Sequence, residues 1–490
     1  MLNNLREGIK VMNIIIFGTG SCCEKTLLEL NYDEVKIIGF CDNDKNKQNK
    51  IFNGRLVYNP ENILNLEYDL ILIASQYSTQ IYEQLTNMGI NSSKIIPVLY
   101  EDYLKKSKEY YVSILNSIKV KKNKNRDKKY RKKIALLKKN NSGSNTLAMY
   151  KNIPDYINKK YDVELIKINE PKDIKKILQD NNFDLICSTH LNSLYDENIL
   201  NVELWHGFPL KKIGTRTNLF YNSFTENKKK NITKVVSYSE LYSSLFNASF
   251  PNSPDKYEIC GMPRNDLLFI KNKDLMIDLF GKEIINKKVI IYMPTYRVWK
   301  VDMNVNGNRG WDNIFGFDEF DLLKFVNYLR ENNLFFICKL HHMEYNQLNE
   351  EEYIEYSDVV RFINELDLEE WQIDLYEVLA NIDLLITDYS SVYFDMLLKD
   401  IPMLFIPTDK EFYEKNRGFN FEPYEFWTPG PKVYNQSEFF REIDNVFRND
   451  IYIQKRAELR SIVHNYIDNN SSFRVWKMID ELLINMDSNK

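Results

Sequence analysis

The sequence predicts an α/β protein made of successive parallel-sheet units, and three observations carry that reading. Short apolar runs alternate with amphipathic stretches, the rhythm of strands joined by crossover helices. The residue types that could do chemistry fall just after those runs, where open parallel sheets bind ligands. At 490 residues, 44% hydrophobic and 27% charged, the chain has a globular composition and is too long for one core.

The first unit, residues 1–100, opens with a strand at 13–17 that ends in Gly18-Thr19-Gly20. A helix and a second strand at 35–40 follow, closing on Asp42, and a further strand (69–75) and helix (79–88) complete the alternation. This is a small Rossmann-like domain. Gly18-x-Gly20-x-x-Cys23 lacks the third glycine of a dinucleotide fingerprint, although Asp42 lies 22 residues past Gly20, where a ribose-binding acid belongs. A ligand site at Gly18, Gly20 and Asp42 and a purely structural unit both stay open.

Residues 101–132 read as a basic helical linker. Between 104 and 139 there are 15 Lys and Arg against two acids, so this stretch carries +13 and the remainder −17. A single positive stripe on an acidic body argues against nucleic acid, which calls for basic charge over a domain face. It suits either a solvated connecting helix or contact with an anionic membrane surface.

The alternation resumes at Ile134 and gives strands near 163–168, 184–189, 202–207 and 235–239. It restarts at 287–297 and continues through 334–342, 359–363, 383–391 and 402–407, with amphipathic helices at 320–332 and 374–382. Two further lobes are expected, 133–286 and 287–490. The six cysteines form no CxxC set, no leader is apparent, and no run approaches ~18 apolar residues, so a cytoplasmic protein without disulfides, zinc site or spanning helix is expected.

Four strand ends carry reactive types: Trp205-His206-Gly207, Pro294-Thr295-Tyr296-Arg297, Lys339-Leu340-His341-His342 and Asp388-Tyr389-Ser390-Ser391. A neutral His206 could take a proton from a hydroxyl nucleophile, or it is a packed histidine bonded to a backbone carbonyl. Ser390 and Ser391 stand where a helix begins, so their hydroxyls and the free amides could meet an anion, or simply cap the helix. His341 and Arg297 could neutralise a diphosphate leaving group.

In order along the chain, WHGFPLKKIG, GMPRND, YMPTYR, KLHH, ITDYSSVYFD, RGF (417–419) and TPGP (428–431) strongly resemble the CDP-glycerol glycerophosphotransferase family, the teichoic acid primases and polymerases. The resemblance covers roughly 133–480 and implies a GT-B-like fold with the site in the cleft between lobes. It implies catalytic roles for His206, as base on the acceptor hydroxyl, and for His341. Donor phosphates would be held by Arg297, Ser390 and Ser391, and by Ser472 and Arg474 in the late SSFRV stretch. The donor pocket would include Thr295, Arg417 and Gly418, with Asp388 shaping its turn. His342 replaces the proline of the family's KLHP, and Asp468-Asn469-Asn470 stands where an Asp-Gly pair is usual. Residues 12 to about 100 resemble the small Rossmann-like domain found beside sugar-modifying enzymes of capsule and lipopolysaccharide pathways.

The resemblance implies transfer of glycerol phosphate, or a similar polyol phosphate, from a CDP-linked donor to a lipid-linked glycan or polymer, with CMP released. CDP-glycerol is the expected donor substrate. No cofactor or metal cluster is expected, while a divalent ion on the diphosphate stays open. The expected location is peripheral, at the inner face of the cell membrane through 104–139. Two rivals remain: a nucleotide-sugar glycosyltransferase on the same fold, and a non-catalytic nucleotide-sensing assembly protein.

Overall fold

The computed structural model describes residues 11–32, 34–98, 131–168, 183–190, 199–216, 231–297, 307, 309–340, 344 and 350–488. They form two compact units, the second beginning at Arg131.

In the first unit six strands lie in the order β3-β4-β2-β1-β5-β6. They are β1 (Met12–Phe17), β2 (Val35–Cys41), β3 (Ile51–Phe52), β4 (Arg55–Tyr58), β5 (Leu70–Ile73) and β6 (Ile95–Pro97). All pairs are parallel except the β3–β4 hairpin. The apolar runs are near-continuous because both faces are covered. Ile14 and Ile16 pack with Phe40 and Leu72 on one face, and Ile15 and Phe17 with Ile71, Ile73 and Leu85 on the other. The chain leaves β1 toward β2 on one side and later takes β5 on the other, so Gly18-Thr19-Gly20 sits at the switch point.

The second unit holds two all-parallel sheets. The first comprises β7 (Lys132–Lys138), β8 (Tyr161–Lys167), β9 (Leu185–Ser188), β10 (Leu200–Glu203), β11 (Lys234–Ser237) and β12 (Tyr257–Ile259), ordered β12-β11-β10-β9-β7-β8. The second comprises β13 (Lys288–Met293), β14 (Leu334–Cys338), β15 (Val360–Phe362), β16 (Leu384–Thr387) and β17 (Met403–Phe405), ordered β15-β14-β13-β16-β17. Each is a Rossmann-like lobe, the GT-B-like arrangement. Register decides what meets at the strand ends. Met293 is paired with Thr387, so the PTYR and DYSS turns emerge side by side. Glu203 is paired with Ser188, so the turn bearing His206 emerges beside Thr189.

One expectation needs correction. The lobe expected at 287–490 does not keep its own last helix. The helix Ser471–Ser488 buries Val475, Trp476, Ile479 and Leu483, an apolar stripe that water would penalise, in the same core as Ile134 of the first sheet and Met149 and Ile157 of the helices that follow β7. Trp476 Nε1 donates to the Met149 carbonyl at 3.2 Å, and the Tyr161 hydroxyl donates to Asp480 at 2.6 Å. The end of the basic stripe belongs to the start of β7, where Arg131 pairs with Asp162, Lys132 donates to the Leu483 carbonyl and Lys133 faces Glu164. Residues 104–130 lie outside the described residues. Among those described, no helix is long and apolar enough to cross a membrane.

Candidate active site

The turn after β10 is held in a shape its sequence would not choose alone. Trp205 has φ +52°, a left-handed conformation that costs a bulky residue free energy. Its N–H donates to Glu203 Oε1 at 2.9 Å, and Asn145 Nδ2 donates to its carbonyl at 2.9 Å. Its ring packs on Phe246 and Phe250 with centroids 5.2 and 5.3 Å away. Glu203, 1% exposed, also accepts from the Ser188 hydroxyl.

The strained turn presents His206. Its Nδ1 lies 2.8 Å from the Thr189 carbonyl, an oxygen that can only accept, so Nδ1 carries the proton. Nε2 is then the lone-pair nitrogen, and it has no hydrogen bond among the described residues. The ring stacks on His190 at 4.2 Å and touches Trp205 at 4.2 Å. One edge is open to solvent. The walls around it still disfavour charge: desolvation lowers the imidazole pKa, the Thr189 bond opposes this, and Arg264, Lys139 and Lys211 lower it further. The neutral, base-competent form is therefore favoured.

Gly207 joins this turn to the second sheet. A Cβ there would stand 2.8 Å from Ser391 Oγ and 3.8 Å from Arg264 Nη2, so only glycine lets the two turns meet this closely. Ser390 and Ser391 are half-buried at the start of the short helix Val392–Met396. Ser391 makes no side-chain cap bond, and neither hydroxyl has a hydrogen bond among the described residues.

Below the seam lies a buried ion pair. Arg264 Nη2 meets Asp395 Oδ2 at 2.6 Å, with side chains 5% and 0% exposed. Arg264 Nη1 donates to the carbonyls of His206 at 2.9 Å and Gly143 at 3.1 Å. Tyr376 and Asn265 donate to Asp395 as well. Burial works against the guanidinium's charge, but Asp395 together with Tyr238 and Tyr376 outweighs it and holds the pKa above its ordinary value.

Arg297 does not face an open pocket. It is 1% exposed, with Nε and Nη2 donating to Asp409 at 2.8 and 2.9 Å, Nη2 also 2.8 Å from Asp388 Oδ2, and Nη1 donating to the Thr295 carbonyl. Two carboxylates from the chain therefore already neutralise the charge expected to meet a donor phosphate. Asp388 also accepts from the Thr295 N–H at 2.8 Å and from the Tyr389 N–H, tying the two turns together. The Thr295 hydroxyl is buried with no hydrogen-bond partner among the described residues.

The Ser472 backbone N–H and the Arg474 guanidinium are likewise engaged. Both Asp266 oxygens cap the last helix, accepting from Ser471 N at 2.8 Å and Ser472 N at 2.7 Å. The Arg474 guanidinium is bidentate on Asp468 and donates to the Cys260 carbonyl. An internal carboxylate thus sits where a phosphate was expected.

Arg417 and Gly418 follow the helix Lys410–Asn416 and run beside the strap that continues from His206. Lys211 bridges Phe419, Lys212 N–H donates to the Gly418 carbonyl at 3.3 Å, and Asn420 bonds the carbonyls of Pro209, Leu210 and Lys211. The TPGP loop closes against β17, with Phe405 N–H donating to the Pro431 carbonyl at 3.0 Å. His341 and its neighbour His342 lie outside the described residues. Among the described residues no cluster of metal-ligating side chains occurs.

In the first unit Gly18 adopts φ +106°, and a Cβ there would approach the Ala74 carbonyl oxygen to 2.6 Å. Nothing crowds Gly20. Asp42 Oδ2 accepts from Thr19 N–H at 3.0 Å and Thr19 Oγ1 at 2.5 Å, and Oδ1 from Asp44 N–H at 3.0 Å. The Asp42 carboxylate thus braces the glycine turn.

Arg264, Asp266, Lys211 and Asp395 lie inside the family-like motifs and His190 was expected in a loop, but the sequence assigned a role to none of them or to Asp409. Order along the chain held no sign that Asp409 would reach Arg297, 112 residues earlier.

Comparison with known proteins completes the picture. Residues 172–481 match the family described as CDP-Glycerol:Poly(glycerophosphate) glycerophosphotransferase, and residues 10–96 one described as C2185-like, N-terminal. The chain is 32% identical over 301 residues to a teichoic acid poly(glycerol phosphate) polymerase of Bacillus spizizenii, spanning 55% of this chain and 70% of that protein. It is 27% identical over 296 residues to a teichoic acid glycerol-phosphate transferase of Staphylococcus aureus, spanning 57% and 70%. In fold it is similar to the wall teichoic acid polymerase TagF, with a TM-score of 0.59 at 19% identity over 84% of this chain and 98% of that one.

Proposed function

Since the chain belongs to the CDP-glycerol:poly(glycerophosphate) glycerophosphotransferase family, we propose that it transfers glycerol phosphate from CDP-glycerol to a hydroxyl of a teichoic-acid-like or capsule-like polymer and releases CMP. One observation carries this reading: His206, protonated on Nδ1 and open on Nε2, stands at the seam where Gly207 meets Ser391, whose hydroxyl has no hydrogen bond among the described residues.

The acceptor hydroxyl passes its proton to His206 Nε2 as its oxygen attacks the β-phosphorus of the donor. The new O–P bond forms in line with the breaking bond to the bridging oxygen, and CMP leaves with the electron pair. The Ser390 and Ser391 hydroxyls donate to the phosphoryl oxygens, and His341 adds charge on the leaving side. Arg297 acts from behind, fixing Thr295 and Asp388, so that catalysis rests on positioning and preset electrostatics. Residues 133–286 form the acceptor side and 287–470 the donor side, with the last helix closing the former.

The acceptor is lipid-linked and the protein works at the inner face of the membrane, held there by the basic residues before Arg131. Neutralising Lys121, Lys122, Lys128 and Lys129 together should release it from sedimenting membranes, and unchanged sedimentation would reject this placement. Donor choice tests the chemistry. Label from CDP-glycerol should enter a phosphodiester on the acceptor, whereas transfer of sugar from a nucleotide sugar, with none from CDP-glycerol, would make the protein a glycosyltransferase.

A further inference from the structure

Among the described residues of the second unit, the buried arginines face carboxylates: Arg264 has Asp395, Arg297 has Asp388 and Asp409, Arg309 has Glu344, and Arg456 has Asp450 and Asp400. Lys211, Lys212 and Arg417 are different. They are half-buried, they converge where the strap after His206 runs beside Arg417–Phe419, and none makes a side-chain hydrogen bond or carboxylate ion pair among the described residues. Lys211 Nζ lies 5.9 Å from the ring centroids of both Tyr296 and Tyr413. The stem of Lys212 lies so close to Gly418 that a Cβ there would meet it at 3.0 Å.

Partly desolvated cations without a counter-charge are costly, and a bound anion removes that cost. Phosphate chemistry suits the place, because lysine and arginine together offer charge-assisted donors beside rings that exclude water. We propose that Lys211 and Arg417, flanked by Lys212, form an anion subsite that holds a phosphate group of the reactants. That group is either the donor's diphosphate or the phosphodiester at the end of the acceptor. The proposal rests on the transferase reading for its ligand, and it moves the phosphate-binding charge away from Arg297 and Arg474.

The electrostatics agree with the geometry. Burial pushes the Lys211 ammonium down to about 7; Asp388 opposes that, and Arg417 and Arg297 add to it. Tyr296 and Tyr413, whose rings face it, are both raised by burial and stay neutral, and the Lys211 charge in turn helps to lower the His206 pKa. An empty site thus sheds its proton near neutrality, and an arriving phosphate draws it back.

The test is calorimetric titration of inorganic pyrophosphate and of CDP-glycerol into the full chain, as wild type, K211M, R417M and K211R. Pyrophosphate affinity should fall about tenfold or more in K211M and R417M, with K211R keeping most of it. Wild-type binding at about pH 8 should take up protons, read from buffers of different ionisation enthalpy, and K211M should lose that uptake. Unchanged pyrophosphate affinity in folded K211M and R417M, or no pyrophosphate binding to wild type, overturns the proposal. If both ligands weaken together, the phosphate is the donor's; if pyrophosphate weakens while CDP-glycerol binding holds and the acceptor KM rises, it is the acceptor's. A wild type that binds pyrophosphate but not CDP-glycerol would sink the donor reading and leave the subsite standing.

Discussion

Arg264→Met tests how the two sheets are held in register at the seam. The substitution leaves the Asp395 carboxylate, 0% exposed, without its 2.6 Å counter-charge. Stranding one partner of a buried pair typically costs about 3–5 kcal/mol. The Tyr376 hydroxyl and Asn265 amide remain on Asp395 and soften the loss. The carbonyls of His206 and Gly143 lose a charged donor, which pulls the other way. We therefore expect about 3 kcal/mol or more for the second unit. Denaturant unfolding followed by tryptophan fluorescence would measure it, with D395N and the double variant completing a cycle. The double variant should lose much less than the two singles added together. A loss below about 1 kcal/mol for R264M, or simple additivity, would refute the claim that this pair clamps the seam.

Other outcomes follow from the same geometry. Gly207→Ala places a methyl against Ser391 Oγ and should lower the rate of CMP release by about tenfold or more, since displacements near 1 Å are felt strongly in oriented reactions. Because the base form of His206 is neutral and its pKa is lowered, activity should be lost only as pH falls below the ordinary imidazole value of about 6.5. An acid limb above that value in a kcat/KM profile would contradict the assignment. His464 is buried, with Nε2 on the Phe394 carbonyl, and its pKa is also lowered. The unfolded chain therefore binds the extra proton first, and the stability of the unit should decline as pH drops through about 6.5, read by denaturant midpoints. Asp266→Ala uncaps the last helix and should cost about 1–2 kcal/mol in the same assay.

Most strand positions were legible because parallel strands buried on both faces read as apolar runs, and the chemistry follows their carboxyl ends. That logic located His206, Thr295, Asp388 and the two serines. It did not locate the partners that decide what each cation does. Arg297 looked free in sequence because Asp409 lies 112 residues away, beyond another strand. Arg474 looked like a phosphate ligand although Asp468, six residues before it, is within reach in space. The last helix read as part of the second lobe because sequence order was the only guide, while its apolar stripe fits the first sheet. Lys211 went unnoticed because a lysine beside another lysine reads as surface, and only the fold sets it between Tyr296 and Tyr413.

The most direct test of the central claim is acceptor-dependent CMP release from CDP-glycerol, measured for wild type beside His206→Ala. The account predicts release from wild type that requires acceptor, and a fall of about 100-fold or more in the variant with its fold intact. Equal rates from the two proteins would remove His206 as the base, and no release from wild type with any CDP-linked polyol would remove the transferase itself.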